Sequence, residues 1–250
     1  MTLVIKISGH ELDSQEYLNE FAGVVAKLAD PVVIVHGGGK EISQLQERMG
    51  ITPRYVDGVR VTDADSLALV EMVLCGTVNK RLVRTLVNAG VDAVGLSGVD
   101  FALVRAEKMG HAAVDMGFTG EVSAVRPEPL QAFLGDGLTP VIAPICIGVE
   151  NNFNVNADHV AGALAVALEA ERLVFLSNVP GVLVNGQVVP SLTDEQSEVL
   201  IADETIFGGM IPKVRTATAT LRRGVRAAVI THLDGLRNGG GTVITATHHR

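Results

Sequence analysis

The chain has 250 residues, of which 47% are hydrophobic and 19% charged, with a formal net charge of −8. That content is too apolar for disorder, and the 27 glycines follow no collagen period. The acidic balance excludes a nucleic-acid backbone as the main partner, because phosphates need a basic footprint, but it leaves room for a small anion held by a few local cations.

Leu3–Ile7 is an apolar run with strand character. Asp13 followed by Glu16 reads as a capping box, and Leu18, Phe21, Ala22, Val25, Leu28 and Ala29 then recur at helical spacing until Pro31. Val32–Val35 is a second strand, leading through Gly37-Gly38-Gly39 into a helix over about Lys40–Met49. Within Pro53–Thr62, apolar residues flank Asp57-Gly58, a type I′ hairpin signal. Thr62 with Asp65 suits the cap of a helix running to about Leu74, and a further helix over Thr77–Ala89 closes at Gly90. Ala93–Leu96 reads as a strand, 99–126 as short strands and turns, Leu130–Leu134 as a helix and Thr139–Ile145 as a strand. Beyond it come a helix over Ala157–Ala170, a strand over Leu173–Leu176 and a hairpin turning at Asn185-Gly186. Helices near Asp194–Ile201 and Met210–Arg223 and strands near Ala227–Thr231 and Thr242–Thr245 complete the chain. His248-His249-Arg250 reads as a frayed tail.

Buried strands separated by helices predict an α/β fold, a three-layer αβα sandwich around a mostly parallel sheet. No linker interrupts it, so the expected units are two lobes sharing one sheet, residues 1–175 and 176–250. Cys75 and Cys146 show no disulfide or metal spacing. The start runs straight into a strand without a signal peptide, and no stretch is apolar enough to span a membrane, which predicts a cytoplasmic protein.

Five features carry chemistry. Lys6 sits at the end of an apolar strand, where an unpaired ammonium is costly and where open sheets bind ligands. His36-Gly37-Gly38-Gly39 offers backbone N–H groups at a helix start. Arg60 lies just past a hairpin tip and suits a carboxylate, although alone it reads as an exposed arginine. Asn154, Asn156 and Asp158 converge before an apolar helix, where one asparagine serves as cap. Gly208-Gly209 opens another helix and places Lys213 about one turn in. No Gly-x-Ser-x-Gly elbow, Walker loop or dinucleotide fingerprint accompanies them, which argues against a hydrolase, a P-loop protein and an oxidoreductase. Two glycine-rich helix starts, two isolated lysines, one arginine and one aspartate suit a nucleoside triphosphate held against an anionic acceptor. A carboxylate acceptor is already ionised and needs no general base, so the lack of an obvious catalytic His or Cys is expected.

The strings Lys6-Ile-Ser-Gly9, Val33-Ile-Val-His-Gly-Gly-Gly39, Gly58-Val-Arg-Val-Thr-Asp63, Gly76-Thr-Val-Asn-Lys80, Asn154-Val-Asn-Ala-Asp158 and Gly208-Gly-Met-Ile-Pro-Lys-Val214 together resemble the amino acid kinase family nearly end to end. The resemblance is closest to members that phosphorylate free N-acetyl-L-glutamate. It implies that Lys6 and Lys213 stabilise the transferring phosphoryl group, organised by Asp158. It implies that Gly37, Gly38, Arg60 and Asn154 bind the acyl amino acid. It implies that Ser8, Gly9, Ser177, Asn178, Val179, Gly181, Ile206, Gly209 and Met210 line the ATP site. ATP is expected as its Mg²⁺ complex, with no metal site built by the protein itself. The family usually carries Gly at the position of Ser8 and Asp at that of Asn178. Leu176–Gly181 and Glu71–Gly76 look rather like sister kinases whose acceptor is α-aminoadipate on an acidic carrier protein. Such a kinase should show a basic docking face, which a chain of net charge −8 fits poorly. A non-catalytic sensing module is the third alternative, opposed by the presence of both lysines and Asp158. Arginine-inhibited members carry an extra N-terminal helix, for which a first strand at Leu3 leaves no room, so a homodimer with little arginine sensitivity is expected.

Overall fold

A computed structural model describes residues 1–8 and 12–247. Gly9 and the 248–250 tail, both assigned above, lie outside the described residues.

Leu3–Ile7 (β1) leads through Gln15–Val25 (α1) to Val32–His36 (β2) and Gly39–Arg48 (α2). A hairpin, Arg54–Val56 (β3) and Val59–Val61 (β4), precedes Ala64–Glu71 (α3) and Asn79–Asn88 (α4). Ala93–Ser97 (β5), Val104–Lys108 (β6), Thr119–Val125 (β7), Glu128–Gly135 (α5), Thr139–Ala143 (β8), Ile145–Ile147 (β9) and Asn152–Val155 (β10) follow. Ala157–Ala167 (α6) and Arg172–Leu176 (β11) open the second part, with Leu183–Val184 (β12), Gln187–Val188 (β13) and Ser191–Thr193 (β14). Asp194–Ala202 (α7), Met210–Leu221 (α8), Ala227–Thr231 (β15), Leu233–Asn238 (α9) and Thr242–Thr245 (β16) complete it.

Eight strands form one sheet in the order β14-β16-β15-β11-β1-β2-β8-β5. Every pairing in it is parallel except β15 with β16. β1 lies between β2 and β11, with Lys6 opposite Val35 and Phe175. Strand side chains alternate between faces, which sorts the core into two layers. Val4, Val33, Val35 and Phe175 pack with Val160 and Leu164 of α6 and Val214 and Ala217 of α8. Ile5, Ile34 and Val174 pack with Phe21 of α1, Leu69 of α3, Leu82 and Leu86 of α4 and Leu233 of α9. Lys6 shares the parity of Val4 and so faces α6 and α8, while His36 shares that of Ile34 and faces α4. β6, β7, β9 and β10 close into a small barrel beside the sheet. Among the described residues, no helix is long and apolar enough to cross a membrane.

Both hairpin signals hold: Asp57 and Gly58 have φ of 49° and 77°, Asn185 and Gly186 φ of 51° and 78°, the paired positive angles of type I′ turns. Two caps shift by one residue. Ser14, not Asp13, accepts from the Tyr17 N–H at the start of α1, and Asp63, not Thr62, accepts from the Ser66 N–H at the start of α3. The two helices expected over 62–74 and 77–89 are one continuous helical stretch, joined by a π-helical segment over Met72–Val78. Such segments are uncommon and cluster at functional sites. This one carries Leu74 and Val78 to Gly38, where a Cβ would lie 2.6 Å and 3.3 Å from their methyl groups.

Gly117 joins the barrel to the strand that carries Arg60. Its φ is +61°, and a Cβ there would sit 2.2 Å from the Thr62 carbonyl oxygen, which is backbone and cannot swing aside. Gly117→Ala therefore combines left-handed strain with a backbone clash and is expected to cost about 1–3 kcal/mol or more. The urea unfolding midpoint measures it, and an unchanged midpoint would show that the crossing relaxes freely.

Candidate active site

Two cavities flank the carboxyl ends of β1, β2 and β11, where open parallel sheets hold ligands. The first, of about 630 Å³, is lined by Lys6, the three glycines 37–39, Lys40, Tyr55, Arg60, Leu74 and Asn154. The second, of about 430 Å³, is lined by Ser8, Ser177, Asn178, Val179, Gly181, Ile206, Gly209, Met210 and Lys213. The structure thus brings together every described residue expected at each half of the site. The first cavity draws on residues 6–157, the second on Ser8 and 177–213.

Asp158 joins the two. Asn156 caps α6 by accepting from the Asp158 N–H at 2.8 Å, which fixes the first turn and turns the Asp158 side chain toward the sheet. Its Oδ1 lies 2.8 Å from Lys6 Nζ and its Oδ2 3.7 Å from Lys213 Nζ. Asp158 and Lys6 are buried, and the Lys213 side chain keeps only 15% of its exposure. Burial alone raises a carboxyl pKa, but the ammonium groups of Lys6 and Lys213 outweigh it and hold Asp158 below the usual carboxylate range. Burial, then repulsion from Lys6, pulls Lys213 below its ordinary value, with Asp158 pulling back. Two ammonium groups around one carboxylate leave one net positive charge where the cavities meet. The carboxylate is committed to those lysines, and among the described residues no cluster of His, Cys, Asp or Glu is arranged to hold a metal ion.

Arg60 departs from the exposed reading its hairpin suggested: it is buried. One terminal nitrogen donates to Gln46 Oε1, and the other to Ser43 Oγ at 2.8 Å and Tyr55 OH at 2.5 Å, with the Tyr55 ring centroid 4.8 Å from the guanidinium carbon. Gln46 is held in turn by donating to Ser66 Oγ at 3.0 Å. These partners are all neutral, so the guanidinium keeps its charge available for an anion entering the cavity. Thr119 fastens the strand from behind, donating to the Arg60 carbonyl at 2.6 Å and accepting from the Thr62 N–H at 3.1 Å. Asn154 donates to Thr62 Oγ1 at 3.0 Å. Gln46, Ser66, Tyr55 and Thr119 escaped the sequence reading because nothing in their local pattern marks them; only the Arg-Val-Thr string pointed to their neighbourhood.

The glycine loop divides its amides. Gly37 N–H continues the strand ladder to the Ile7 carbonyl at 3.3 Å, so Gly38 supplies the first amide beyond the ladder. At the second cavity, Ser8 donates to the Leu176 carbonyl at 2.8 Å, tying the ends of β1 and β11. Gly208, with φ of 58°, and Gly209, the residue before α8, make the turn that sets Lys213 one turn into the helix.

The model of the amino acid kinase family matches residues 1–232. Acetylglutamate kinase of Roseiflexus castenholzii is 54% identical over 97% of this chain and 94% of its own, and that of Methanopyrus kandleri is 44% identical over 96% and 99%. Among solved structures, smu.665 from Streptococcus mutans UA159 superposes with a TM-score of 0.84 at 33% identity, covering 98% of this chain and 99% of its own. Carbamate kinase from Giardia lamblia shares the fold, with a TM-score of 0.74 at 16% identity over 98% of both chains. With half of all positions shared from end to end and the family's pattern laid over two adjoining cavities, this chain belongs to the amino acid kinase family.

Proposed function

We infer that this chain transfers the γ-phosphoryl group of ATP to the side-chain carboxylate of N-acetyl-L-glutamate, a step of arginine biosynthesis. The observation that carries the reading is Lys6 in one cavity and Lys213 in the other, both on the carboxylate of Asp158. The relatives named acetylglutamate kinase supply the acceptor.

The acceptor occupies the cavity of Arg60. Its α-carboxylate meets the guanidinium, Asn154 and Gly38 hold the acyl amide region, and the side-chain carboxylate points to Lys6. ATP occupies the cavity of residues 177–213, entering as its Mg²⁺ complex, the metal arriving on the phosphates as part of the substrate. A carboxylate oxygen attacks the γ-phosphorus, the bond to the β–γ bridging oxygen breaks, and the products are an acyl phosphate and ADP. No proton has to move. Charge spreads over the three peripheral oxygens of the migrating group, and Lys6 and Lys213 approach it from either side. Asp158 holds both ammonium groups in place. The reading includes a division into an acceptor lobe, 1–175, and a nucleotide lobe, 176–250, supported by the first cavity drawing on residues 6–157 and the second, Ser8 apart, on residues 177–213. The reading extends to a cytoplasmic homodimer, for which the half-buried edge strand β5 offers a pairing surface, and light scattering checks it.

The test is ADP release from Mg-ATP with N-acetyl-L-glutamate, compared with glutamate, aspartate and carrier-linked α-aminoadipate. Preference for the carrier-linked substrate would overturn the acceptor. Arg60→Ala is expected to raise the KM for N-acetyl-L-glutamate about 10–100-fold, the size of a charged hydrogen-bond pair, with a smaller change in kcat. An unchanged KM would remove Arg60 from the acceptor site.

A further inference from the structure

His36 ends β2 on the face opposite Lys6 and is fully buried. Its Nδ1 lies 2.9 Å from the Gly37 carbonyl oxygen, and its Nε2 lies 3.2 Å from Asn79 Nδ2. A carbonyl only accepts, so Nδ1 carries the proton. Asn79 Nδ2 also lies 2.9 Å from the Val141 carbonyl oxygen, a second obligate acceptor, so this is the donor end of the amide and Nε2 accepts from it. The ring is therefore neutral and confined to one tautomer. Burial pulls its pKa down to about 4, helped by the charges of Arg81 and Lys80 and opposed by the Gly37 carbonyl.

A peptide group is planar and trans, so its C=O and N–H point in opposite directions. A Gly37 carbonyl turned back onto the imidazole sends the Gly38 N–H away from it. The loop lies close against the neighbouring helical stretch there, for a side chain at Gly38 would collide with Leu74 and Val78. The same helical stretch continues into Asn79, which holds the other side of the ring.

Resting on the acceptor assignment above, we propose that His36 is a positioning residue: its Nδ1–H holds the Gly37 carbonyl so that the Gly38 N–H is aimed at the acceptor, and Asn79 keeps the imidazole in the tautomer that does so. His36 touches no reacting atom; it acts through the peptide between two glycines.

Two measurements test this. In the unaltered protein, nitrogen NMR of labelled histidine at neutral pH is expected to show Nδ1 protonated and Nε2 bare for His36. An imidazolium or the Nε2–H tautomer would overturn the proposal, whether or not any variant folds. Kinetically, His36→Leu is expected to raise the KM for N-acetyl-L-glutamate about tenfold, one lost hydrogen bond, with the KM for ATP within twofold. His36→Asn, whose amide nitrogen stands where Nδ1 stood, is expected to recover most of that loss. Equal impairment in both variants, or none in His36→Leu, would reduce His36 to a packing residue. The NMR reading needs no substrate. Absence of ADP release by the unaltered enzyme would therefore sink the acceptor assignment while leaving the tautomer result standing.

Discussion

Lys213→Ala is expected to lower turnover about a hundredfold or more while leaving both Michaelis constants within a few-fold. In the resting site the Lys213 ammonium leans on Asp158, 3.7 Å away, and on the Gly209 carbonyl at 3.4 Å. Its gain comes when charge spreads over the migrating phosphoryl group, and a contact realised mainly in the transition state shows in kcat rather than KM. Loss of one preorganised donor to developing charge typically costs 10²–10³ in rate. The pH profile gives a second handle. Burial and then Lys6 pull the Lys213 pKa below its ordinary 10.5. The group is charged below its folded pKa, so turnover should fall as pH rises through that value, earlier than an unperturbed lysine allows. Steady-state kinetics across the alkaline range measures both effects. A variant within twofold of the parent turnover would remove Lys213 from the chemistry.

Much of this fold was written locally. Alternating apolar strands and amphipathic helices placed the sheet, and the paired turn residues at Asp57-Gly58 and Asn185-Gly186 placed both hairpins. The errors have local causes. Asp13 and Ser14 are both good caps, as are Thr62 and Asp63, and only the backbone angles decide between them. α9, six residues with a glycine inside, is too short and too weak a helix former to announce itself. The π-helical segment inserts its extra residue into an apolar stretch where helical spacing looks acceptable with or without it. β6, β7, β9 and β10 gave only short strand signals, since closure into a barrel depends on partners far away in sequence.

The site was legible where a residue broke its local pattern. A lysine ending a buried strand, a triple glycine and a glycine pair before a helix each conflict with bland packing, and Lys6, the three glycines 37–39 and Gly209 of the pair line the two cavities. Arg60 and His36 were harder because their meaning is tertiary. An arginine after a hairpin reads as exposed until Gln46, Ser43 and Tyr55 close around it. His36 reads as the first residue of a glycine string until Asn79, 43 positions away, meets its other nitrogen.

Asp158→Asn is the variant expected to harm both stability and rate. It keeps the shape and removes the charge, leaving Lys6 buried without a counter-ion. Breaking a buried pair by removing one partner typically costs about 3–5 kcal/mol, far more than the intact pair contributes over an apolar substitute. Lys6 also loses the carboxylate, 2.8 Å away, that holds its ammonium toward the phosphoryl group. Stability and turnover therefore fall together, unlike in Lys213→Ala, where turnover alone collapses. The acid response separates the two proteins further. In the parent, Lys6 and Lys213 overcome burial and hold the Asp158 pKa below its ordinary 3.8. A carboxyl whose folded pKa is depressed contributes stability that is complete above the unfolded pKa and lost as pH falls through the folded one. The parent should thus lose part of its margin below about pH 4, while Asp158→Asn lacks this contribution at every pH. The two urea midpoints, far apart at neutral pH, should converge on acidification. Midpoints separated by a constant gap from neutral to acid pH would mean that the Asp158 carboxylate does not hold the two ammonium groups together.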